Sequence, residues 1–160
     1  MLSIRPGTRQ DAGLLRTLIG ELAEYERLSN EAVITVEDIV RDGFGPQPRF
    51  RTLIAEWEGE PAGYACFFGF YSTFQGRPGL HLEDIYVRPE HRGRGIGKRL
   101  LSRVSEIALD EGCTFVRWDV LDWNTSAIDF YRKLGAQFLD EWKMVILMGS
   151  ALRTAAGKTS

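Results

Sequence analysis

The feature that most constrains the fold is a glycine-rich loop between a strand pattern and a helix pattern. Residues 80–87, LHLEDIYV, read as a strand, and Arg92 to Lys98 follow as RGRGIGK. The apolar residues of RLLSRVSEIAL, residues 99–109, then repeat with helical spacing. Glycines let a backbone approach a phosphate closely, and the unpaired N–H groups and positive dipole of a helix start bind it. The sequence therefore predicts an anion-binding loop.

The spacing of this loop excludes two common phosphate-binding motifs. A nucleoside triphosphatase loop requires Gly-x-x-x-x-Gly-Lys-Ser/Thr, but Arg92 stands at the first glycine position and Arg99 follows Lys98. A dinucleotide-binding turn requires G-x-G-x-x-G, whereas the glycines here alternate as G-x-G-x-G. The loop therefore belongs to another class of phosphate site.

Length and composition predict one domain whose partners are small ligands or proteins. The chain has 160 residues, 44% of them hydrophobic, which suffices for one core over residues 1–148 followed by a disordered tail at 149–160. The net charge of -2, with both signs interspersed, argues against nucleic-acid binding. No apolar run reaches the roughly 20 residues of a membrane span. Cys66 and Cys113 lie in apolar segments and no signal-peptide pattern opens the chain, which predicts a reduced, cytoplasmic location.

The first half of the chain predicts a strand, two helices and a hairpin. Leu2 to Ile4 alternate as a short strand, and the residues from Thr8 to Asp11 cap a long amphipathic helix. Val36 to Arg41 form a second, short helix. Arg51 to Trp57 and Pro61 to Tyr71 read as two strands joined by a glycine-containing turn. An antiparallel sheet therefore begins here.

The second half returns to alternating strands and helices. After the strand His81 to Val87 and the glycine loop with its helix, Phe115 to Val120 read as a strand. Ser126 to Lys133 read as a helix and Trp142 to Met148 as a final strand. A sheet that is antiparallel at first and has a helix crossover later is α+β, or mixed α/β.

Three motifs in order along the chain resemble those of the GNAT family of N-acetyltransferases. Arg92 to Gly97 match the Arg/Gln-x-x-Gly-x-Gly/Ala loop, and the strand LEDIYV precedes it. Residues 123–136, WNTSAIDFYRKLGA, resemble the family's Asn-to-FYxxxGF/A signature. Residues 4–28, IRPGTRQDAGLLRTLIGELAEYERL, make the chain most similar to the spermidine/spermine (diamine) and thialysine acetyltransferases. The resemblance covers nearly the whole chain.

The resemblance implies a fold and a cofactor. The fold is a mixed, largely antiparallel sheet of about six to seven strands flanked by about four helices. The cofactor is acetyl-CoA, whose pyrophosphate binds the glycine loop. The residues implied to bind it are Ile85, Tyr86, Val87, Arg92, Gly93, Arg94, Gly95, Ile96, Gly97, Lys98, Asn124, Ser126, Ala127 and Tyr131.

The chemistry of amine acetylation explains why a carboxylate is expected opposite this loop. An alkyl amine has a pKa of about 10.4, so it arrives as a cation and must lose a proton before attack. Glu83 is the candidate proton acceptor or substrate anchor, because the matching glutamate of diamine acetyltransferases contacts substrate. The alternative is that Glu83 or Asp84 pairs with a neighbouring arginine. Strand alternation predicts that the two carboxylates lie on opposite faces of the sheet, so that only one lines the cleft.

Attack on a thioester also requires help for the oxyanion and the leaving thiolate. A backbone N–H between Ile85 and Val87 can stabilise the oxyanion if strand pairing is broken there. Tyr131 fits the general acid, since a phenol with a pKa of about 10 stays protonated at neutral pH. The alternative for Tyr131 is an ordinary packed aromatic residue, and for Asn124 a simple helix cap.

The substrate side is the weakest part of the resemblance. The implied contacts are Tyr25, Glu26, Glu83, Trp118 and Asp119. Arg117 beside the last two would repel a cationic substrate, and the segment FLDEW replaces a longer acidic stretch. The identity of the amine therefore stays open among polyamine, diamine and lysine-like or thialysine-like molecules.

These patterns predict an acetyl-CoA-dependent N-acetyltransferase that acts by direct attack, because neither cysteine lies in a motif suited to an acyl-enzyme. A protein or peptide N-acetyltransferase and a non-catalytic CoA-binding regulatory module on the same fold are the alternatives. The histidines and cysteines form no metal-ligand spacing, so no metal is expected. The resemblance to diamine enzymes implies a homodimer. Charge and the length of the apolar runs predict neither nucleic acid nor a membrane as a partner.

Overall fold

The computed structural model describes residues 1–158, and the chain divides into two compact units, residues 1–121 and residues 122–160. The first unit carries a sheet with the order β1-β2-β3-β4-β5. Its first four strands pair antiparallel, and β5 pairs parallel to β4. The strands are β1 (Leu2–Pro6), β2 (Arg51–Trp57), β3 (Glu60–Ser72), β4 (Arg77–Val87) and β5 (Val116–Arg117).

Three α-helices belong to the first unit and two to the second. Those of the first unit are α1 (Ala12–Tyr25), α2 (Val36–Phe44) and α3 (Ile96–Asp110), and those of the second are α4 (Thr125–Lys133) and α5 (Gly149–Ala155). A capping box starts α2, because the Thr35 hydroxyl accepts from the Asp38 N–H while the Asp38 carboxylate accepts from the Thr35 N–H. No helix of residues 1–158 is both long and apolar enough to cross a membrane.

The two faces of the sheet bury separate apolar clusters. On one face, Ala65 and Phe67 of β3 belong to the cluster that holds the buried stripe of α3. On the other face, Tyr64 and Cys66 belong to the cluster that holds the buried stripe of α1, with Ile39 of α2. Each fully buried Leu, Ile or Phe side chain stabilises the fold by about 1.5–3 kcal/mol. The alternation of β3 therefore fixes α3 and α1 on opposite sides of the sheet.

A β-bulge interrupts β4 at the acidic step of the sequence. Phe67 pairs with Leu82 and Cys66 with Asp84, so Glu83 is the extra residue. Leu82 belongs to the α3-side cluster, and Ile85, three residues later, packs against the same cluster. An uninterrupted strand would send Leu82 and Ile85 to opposite faces, so the bulge reverses the alternation of the strand.

The edge of β4 that faces β5 is open beyond His81. The parallel pairing covers Leu80 and His81, and no strand within residues 1–158 pairs with this edge further on. The N–H of Arg88 donates to the carbonyl of Ala62 on the β3 side (2.9 Å). Because hydrogen-bonding direction alternates along a strand, the N–H of Val87 points to the open edge. An oxyanion role for a backbone N–H between Ile85 and Val87 required unpaired strand backbone there. This edge of β4 is unpaired within residues 1–158, whereas pairing with β3 continues through Val87.

The mixed, largely antiparallel sheet is confirmed, with fewer strands than predicted. The predicted strand Phe115–Val120 shortens to Val116–Arg117, and Trp142–Met148 form no strand within the described residues. The latter segment is exposed along its whole length, so its strand-like pattern has no partner edge. Where a disordered tail is predicted from residue 149, the structure has the exposed helix α5, and residues 159 and 160 lie outside the described residues.

Candidate active site

The glycine loop leaves β4 through a short turn and enters α3 in a conformation that requires glycine. Gly93 and Gly95 have φ values of 75° and 76°, in the left-handed region that other residues rarely adopt. Gly95 is the N-cap of α3. A Cβ added at either glycine would meet no atom within 4 Å, so the space above the loop is open. The local backbone thus explains why the sequence carries glycine at these two positions.

The start of α3 offers N–H groups that the described part of the chain does not use. The N–H groups from Gly93 to Lys98 donate no backbone hydrogen bond among residues 1–158, and no side chain caps the helix. Ile96, between the glycines, is buried and anchors the helix start in the core. Unpaired N–H groups beside open space at a positive helix end fit a phosphate group.

Some cations around the loop form ion pairs within the fold, and one forms none within residues 1–158. Arg88 forms a two-armed ion pair with Glu21 at 2.8 and 3.0 Å, and Arg99 pairs with Glu106 at 3.0 Å. Both are therefore committed within the fold. The exposed Lys98 has no ion pair within residues 1–158.

Arg92 and Arg94 lie against aromatic rings beside the loop. The guanidinium of Arg92 lies 4.6 Å from the ring centre of Tyr25 and donates to the Val87 carbonyl at 2.9 Å. The guanidinium of Arg94 lies 4.9 Å from the ring centre of Trp57. Stacking on aromatic faces orders these guanidinium groups and leaves hydrogen-bond donors for an anion.

The bulge places Glu83 and Asp84 on the same face of the sheet, the face of α1. The Tyr64 hydroxyl, in the α1-side cluster, donates to Asp84 at 3.0 Å. Glu83 contacts His81, whose ring packs on Phe68 of the same face. The prediction that these carboxylates point to opposite faces is therefore wrong. Its physical reason is the extra residue of the bulge, which turns two successive side chains to one side.

Three carboxylates on this face form an acidic cluster, defined here as Glu26, Glu83 and Asp84. Burial and mutual repulsion raise the pKa values of two of them, Glu26 and Asp84. Burial raises the pKa of Asp84 to about 6, with further increases from Glu83 and Glu26 and a decrease from the Tyr64 hydrogen bond. Burial, and then the charge of Glu83, also raise the pKa of Glu26. No arginine or lysine of residues 1–158 forms an ion pair with any of the three. The cluster is thus poised to accept a cation.

The other predicted substrate residues lie on both faces of the sheet and do not form one group. Tyr25 ends α1 beside Glu26 and lies under Arg92, close to the glycine loop. Trp118 packs against the α3-side cluster, on the face opposite Glu83, and Asp119 next to it is exposed. The structure therefore brings Tyr25, Glu26 and Glu83 to one side and leaves Trp118 on the other. Arg117 lies with its guanidinium 4.5 Å from the ring centre of Phe70.

The second unit holds the remaining predicted residues. The side-chain oxygen of Asn124 accepts from the N–H of Ala127 at 3.4 Å and caps α4, while Ser126 is exposed on the first turn. Tyr131 is buried, with its ring 5.4 Å from that of Phe130. Gly135 follows the C-cap Leu134 of α4, and its φ of 85° is the left-handed conformation that glycine favours after a helix.

Two residues of the acidic face were missed by sequence reasoning. Asp84 was assigned to the wrong face, because a bulge leaves no signal in the alternation of side chains. The sequence raised His81 only as a possible metal ligand, and within the described residues no group of three or more His, Cys, Asp or Glu side chains is placed to hold a metal ion. The signal that could have found it is its position two residues before Glu83 on one strand face.

A comparison with protein families matches residues 16–136 to the family described as "Acetyltransferase (GNAT) family". Thialysine N-epsilon-acetyltransferase of Bos taurus is 46% identical, with 97% of each chain covered. L-ornithine N5-acetyltransferase of Arabidopsis thaliana is 37% identical over 75% of this chain and 50% of that protein. Spermidine/spermine N(1)-acetyltransferase-like protein 1 of Homo sapiens is 35% identical over 83% of this chain and 20% of that protein.

Solved structures share the fold at low sequence identity. An integron cassette protein from the mobile metagenome of V. cholerae has a TM-score of 0.81 and 21% identity, with 97% of each chain covered. An aminoglycoside N-acetyltransferase solved in complex with CoA has a TM-score of 0.72 and 22% identity, covering 93% of this chain and 94% of that one.

Proposed function

This chain is an acyl-CoA-dependent N-acetyltransferase that belongs to the GNAT family, and from that premise we propose that it acetylates the terminal primary amine of a small cationic molecule. The acetyl donor is acetyl-CoA. The acceptor class is an amino acid with a side-chain amine, or a diamine or polyamine, since the names of three relatives carry thialysine, ornithine and spermidine/spermine.

One observation carries the proposal: β4 holds two of the three carboxylates of the acidic cluster and leads directly into the glycine loop. An anion-binding loop at one end of a strand and a cation-seeking cluster a few residues before it match the two substrates of amine acetylation. The ammonium group would be attracted by charge. It would partly relieve the repulsion that, after burial, raises the pKa values of Glu26 and Asp84.

Glu83 is the proposed proton acceptor. Its side chain is about half exposed, so an incoming ammonium group can reach it, and Glu26 and Asp84 keep the surroundings negative. Proton acceptance converts the ammonium group into a nucleophilic amine. Asp84 is held by Tyr64 and serves to bind charge.

The loop residues fit the diphosphate of acetyl-CoA, which supplies the activated acetyl group when bound. The N–H groups of Gly93 to Lys98 and the cations Arg92, Arg94 and Lys98 would hold its phosphates. The N–H of Val87, which points to the open edge of β4, would donate a hydrogen bond at the reacting carbonyl oxygen. Ile85 and Tyr86 continue the strand beside it.

Tyr131 is the proposed general acid, and this role comes from the sequence signature. The second unit supplies its neighbours Asn124, Ser126 and Ala127 around the start of α4. Tyr131→Phe should lower kcat by about 10²-fold while leaving acetyl-CoA affinity unchanged. Unchanged turnover would remove the acid role and leave the rest of the proposal intact.

An amine panel tests the proposed function directly. Release of free thiol from acetyl-CoA would be followed with spermidine, putrescine, lysine, thialysine, ornithine and a short peptide. We expect turnover of at least one small amine at a kcat/KM above that of the peptide. Preference for lysine-like amines would exclude the polyamine version, and no turnover of any amine with intact acetyl-CoA binding would contradict the function.

A matched pair of glycine variants tests the loop. Gly95 and Gly59 both have positive φ and open space where a Cβ would lie, but Gly59 lies in the β2–β3 turn. Both Ala variants should lose about 1–2 kcal/mol of stability. Gly95→Ala alone should weaken acetyl-CoA binding, by about tenfold in calorimetry, because its methyl group occupies the approach to the N–H groups.

We also propose that the protein is a cytoplasmic homodimer. The segment Trp142–Met148 supports the assembly, because its apolar side chains are more than half exposed and its backbone forms no strand within the described residues. Light scattering coupled to size exclusion should give twice the chain mass. Val145→Lys should shift the protein toward the monomer, and a wild-type monomer would contradict the assembly.

A further inference from the structure

His81 contacts the proposed proton acceptor, and the function proposed above does not use it. Its Nε2 lies 3.1 Å from Oε2 of Glu83. Only 12% of the His81 side chain is exposed, against 55% for Glu83. The other oxygen of Glu83, Oε1, accepts no hydrogen bond from residues 1–158. One oxygen is therefore held by the protein and the other is free for a substrate.

The His81 ring is held in place by its strand neighbours. It packs on the Phe68 ring with the ring centres 5.0 Å apart and the planes 34° apart, and the two residues pair across β3 and β4. On the other side, His81 pairs in register with Arg117 of β5, whose guanidinium covers Phe70. A ring fixed in this way can orient the carboxylate it contacts.

The contact defines which atom carries hydrogen. An ionised carboxylate only accepts hydrogen bonds, so Nε2 must be the protonated ring nitrogen when Glu83 is charged. His81 then donates to Oε2 in both its neutral and its cationic form. The two forms differ in charge, and the cation binds the carboxylate more strongly than the neutral ring.

We propose that His81 is a positioning residue for Glu83, one that fixes Oε2 so that Oε1 faces the substrate amine. The inference rests on the proposed function. The carboxylates that face Glu83 are Glu26, at the end of α1, and Asp84 on its own strand. The uncharged Cys66 thiol of β3 also lies near Glu83. Arg117 flanks His81 from β5.

Two His81 variants separate its roles. His81→Gln keeps an N–H donor near Oε2 but cannot become charged, whereas His81→Phe keeps the packing on Phe68 and loses the donor. His91→Gln, at the second of the two histidines in the chain, controls for the loss of a histidine outside the contact with Glu83. Glu83→Gln and the double variant with His81→Phe test whether both residues act through one step.

The expected kinetics follow from positioning. His81→Phe should lower kcat about tenfold with the KM for amine changed less than threefold, and His81→Gln should keep most of kcat at pH 8. His91→Gln should keep wild-type kcat. In the Glu83→Gln background, His81→Phe should have no further effect.

The opposite results would overturn the proposal. These are full activity of His81→Phe, equal losses in both His81 variants, or additive losses with Glu83→Gln. A readout without turnover is the imidazole ¹⁵N spectrum at pH 8. It should show the Nε2–H form of His81 with a shift that changes in Glu83→Gln and not in Glu37→Gln, at an exposed helix position. A spectrum unaffected by Glu83→Gln contradicts the His81 contact, whereas an inactive amine panel contradicts only the proposed function.

Discussion

Asp11 and Asp84 are two largely buried aspartates that the fold treats in opposite ways. Asp11 binds both terminal nitrogens of Arg5, at 2.8 and 2.9 Å, and accepts from the N–H of Thr8 at 2.7 Å. The Arg5 hydrogen bonds lower the pKa of Asp11 to about 2. Asp84 has a tyrosine hydroxyl instead of a cation, and burial raises its pKa to about 6.

The difference separates a carboxylate that is neutralised by a cation of the protein from carboxylates that are left to bind a cationic ligand. At Asp11, the carboxylate and guanidinium satisfy each other and lock the start of α1 to β1. In the acidic cluster, three carboxylates face one another without such a partner. A buried carboxylate with a raised pKa destabilises the folded protein at neutral pH, so its retention is typical of a functional site.

The largest effect that would sharpen this contrast is loss of turnover in Glu83→Gln. The variant keeps size and hydrogen bonding but removes the proton acceptor, so kcat should fall by about 10²–10³-fold. The thiol-release assay measures it, with thermal unfolding to show an intact fold. Glu37→Gln, an exposed carboxylate on α2, is the matched control and should keep wild-type kcat. A fall of less than threefold in Glu83→Gln would contradict its role.

Asp11→Asn should cause the next largest effect, on stability instead of turnover. Loss of the Arg5 pair should lower the free energy of unfolding by about 2 kcal/mol at pH 7. Because the folded pKa is depressed, this contribution is present above the ordinary aspartate pKa and is lost as pH falls through about 2. Urea titrations measure it. Asp42→Asn, in an exposed pair with Arg41, is the control and should cost less stability than Asp11→Asn.

Asp84→Asn should change stability in the opposite direction. The folded pKa is raised, so the stability associated with the neutral form is present below about pH 4 and is lost as pH rises through about 6. The amide can still accept from Tyr64 and carries no charge. Urea titrations should show a gain of about 1–2 kcal/mol at pH 8 and little difference at pH 4. Destabilisation at pH 8 would mean that Asp84 is structural like Asp11.

Glu26→Gln should give the smallest effect. It removes one of the three charges and leaves the proposed proton acceptor, so the KM for amine should rise about threefold with kcat nearly unchanged. A dicationic amine should be affected more than a monocationic one in the same assay. If the KM for each amine is the same in the variant and the wild type, the Glu26 charge does not contribute to amine binding.

The parts that could be predicted from the sequence are those that depend on local pattern. The strand, the glycine loop and the helix after it are confirmed, with Gly95 at the N-cap of α3, and the family is confirmed by the match over residues 16–136. Residue alternation failed at the step from Glu83 to Asp84, because the bulge depends on pairing with β3. It failed again at Trp142–Met148, where a strand pattern has no partner strand within the described residues. The catalytic roles of Glu83 and Tyr131 stay predictions.

The sequence by itself determined the conformation of the glycine loop, because left-handed glycines and a helix start are local properties of consecutive residues. Only the tertiary structure decided which carboxylates meet. The bulge at Glu83 brings it to the same face as Asp84 and Glu26, and the pairing of β3 with β4 sets His81 on Phe68 beside it. Glu26 and Phe68 are far from β4 in the chain. Burial, and then charges brought close by the fold, raise the pKa values of Glu26 and Asp84, which no local pattern encodes.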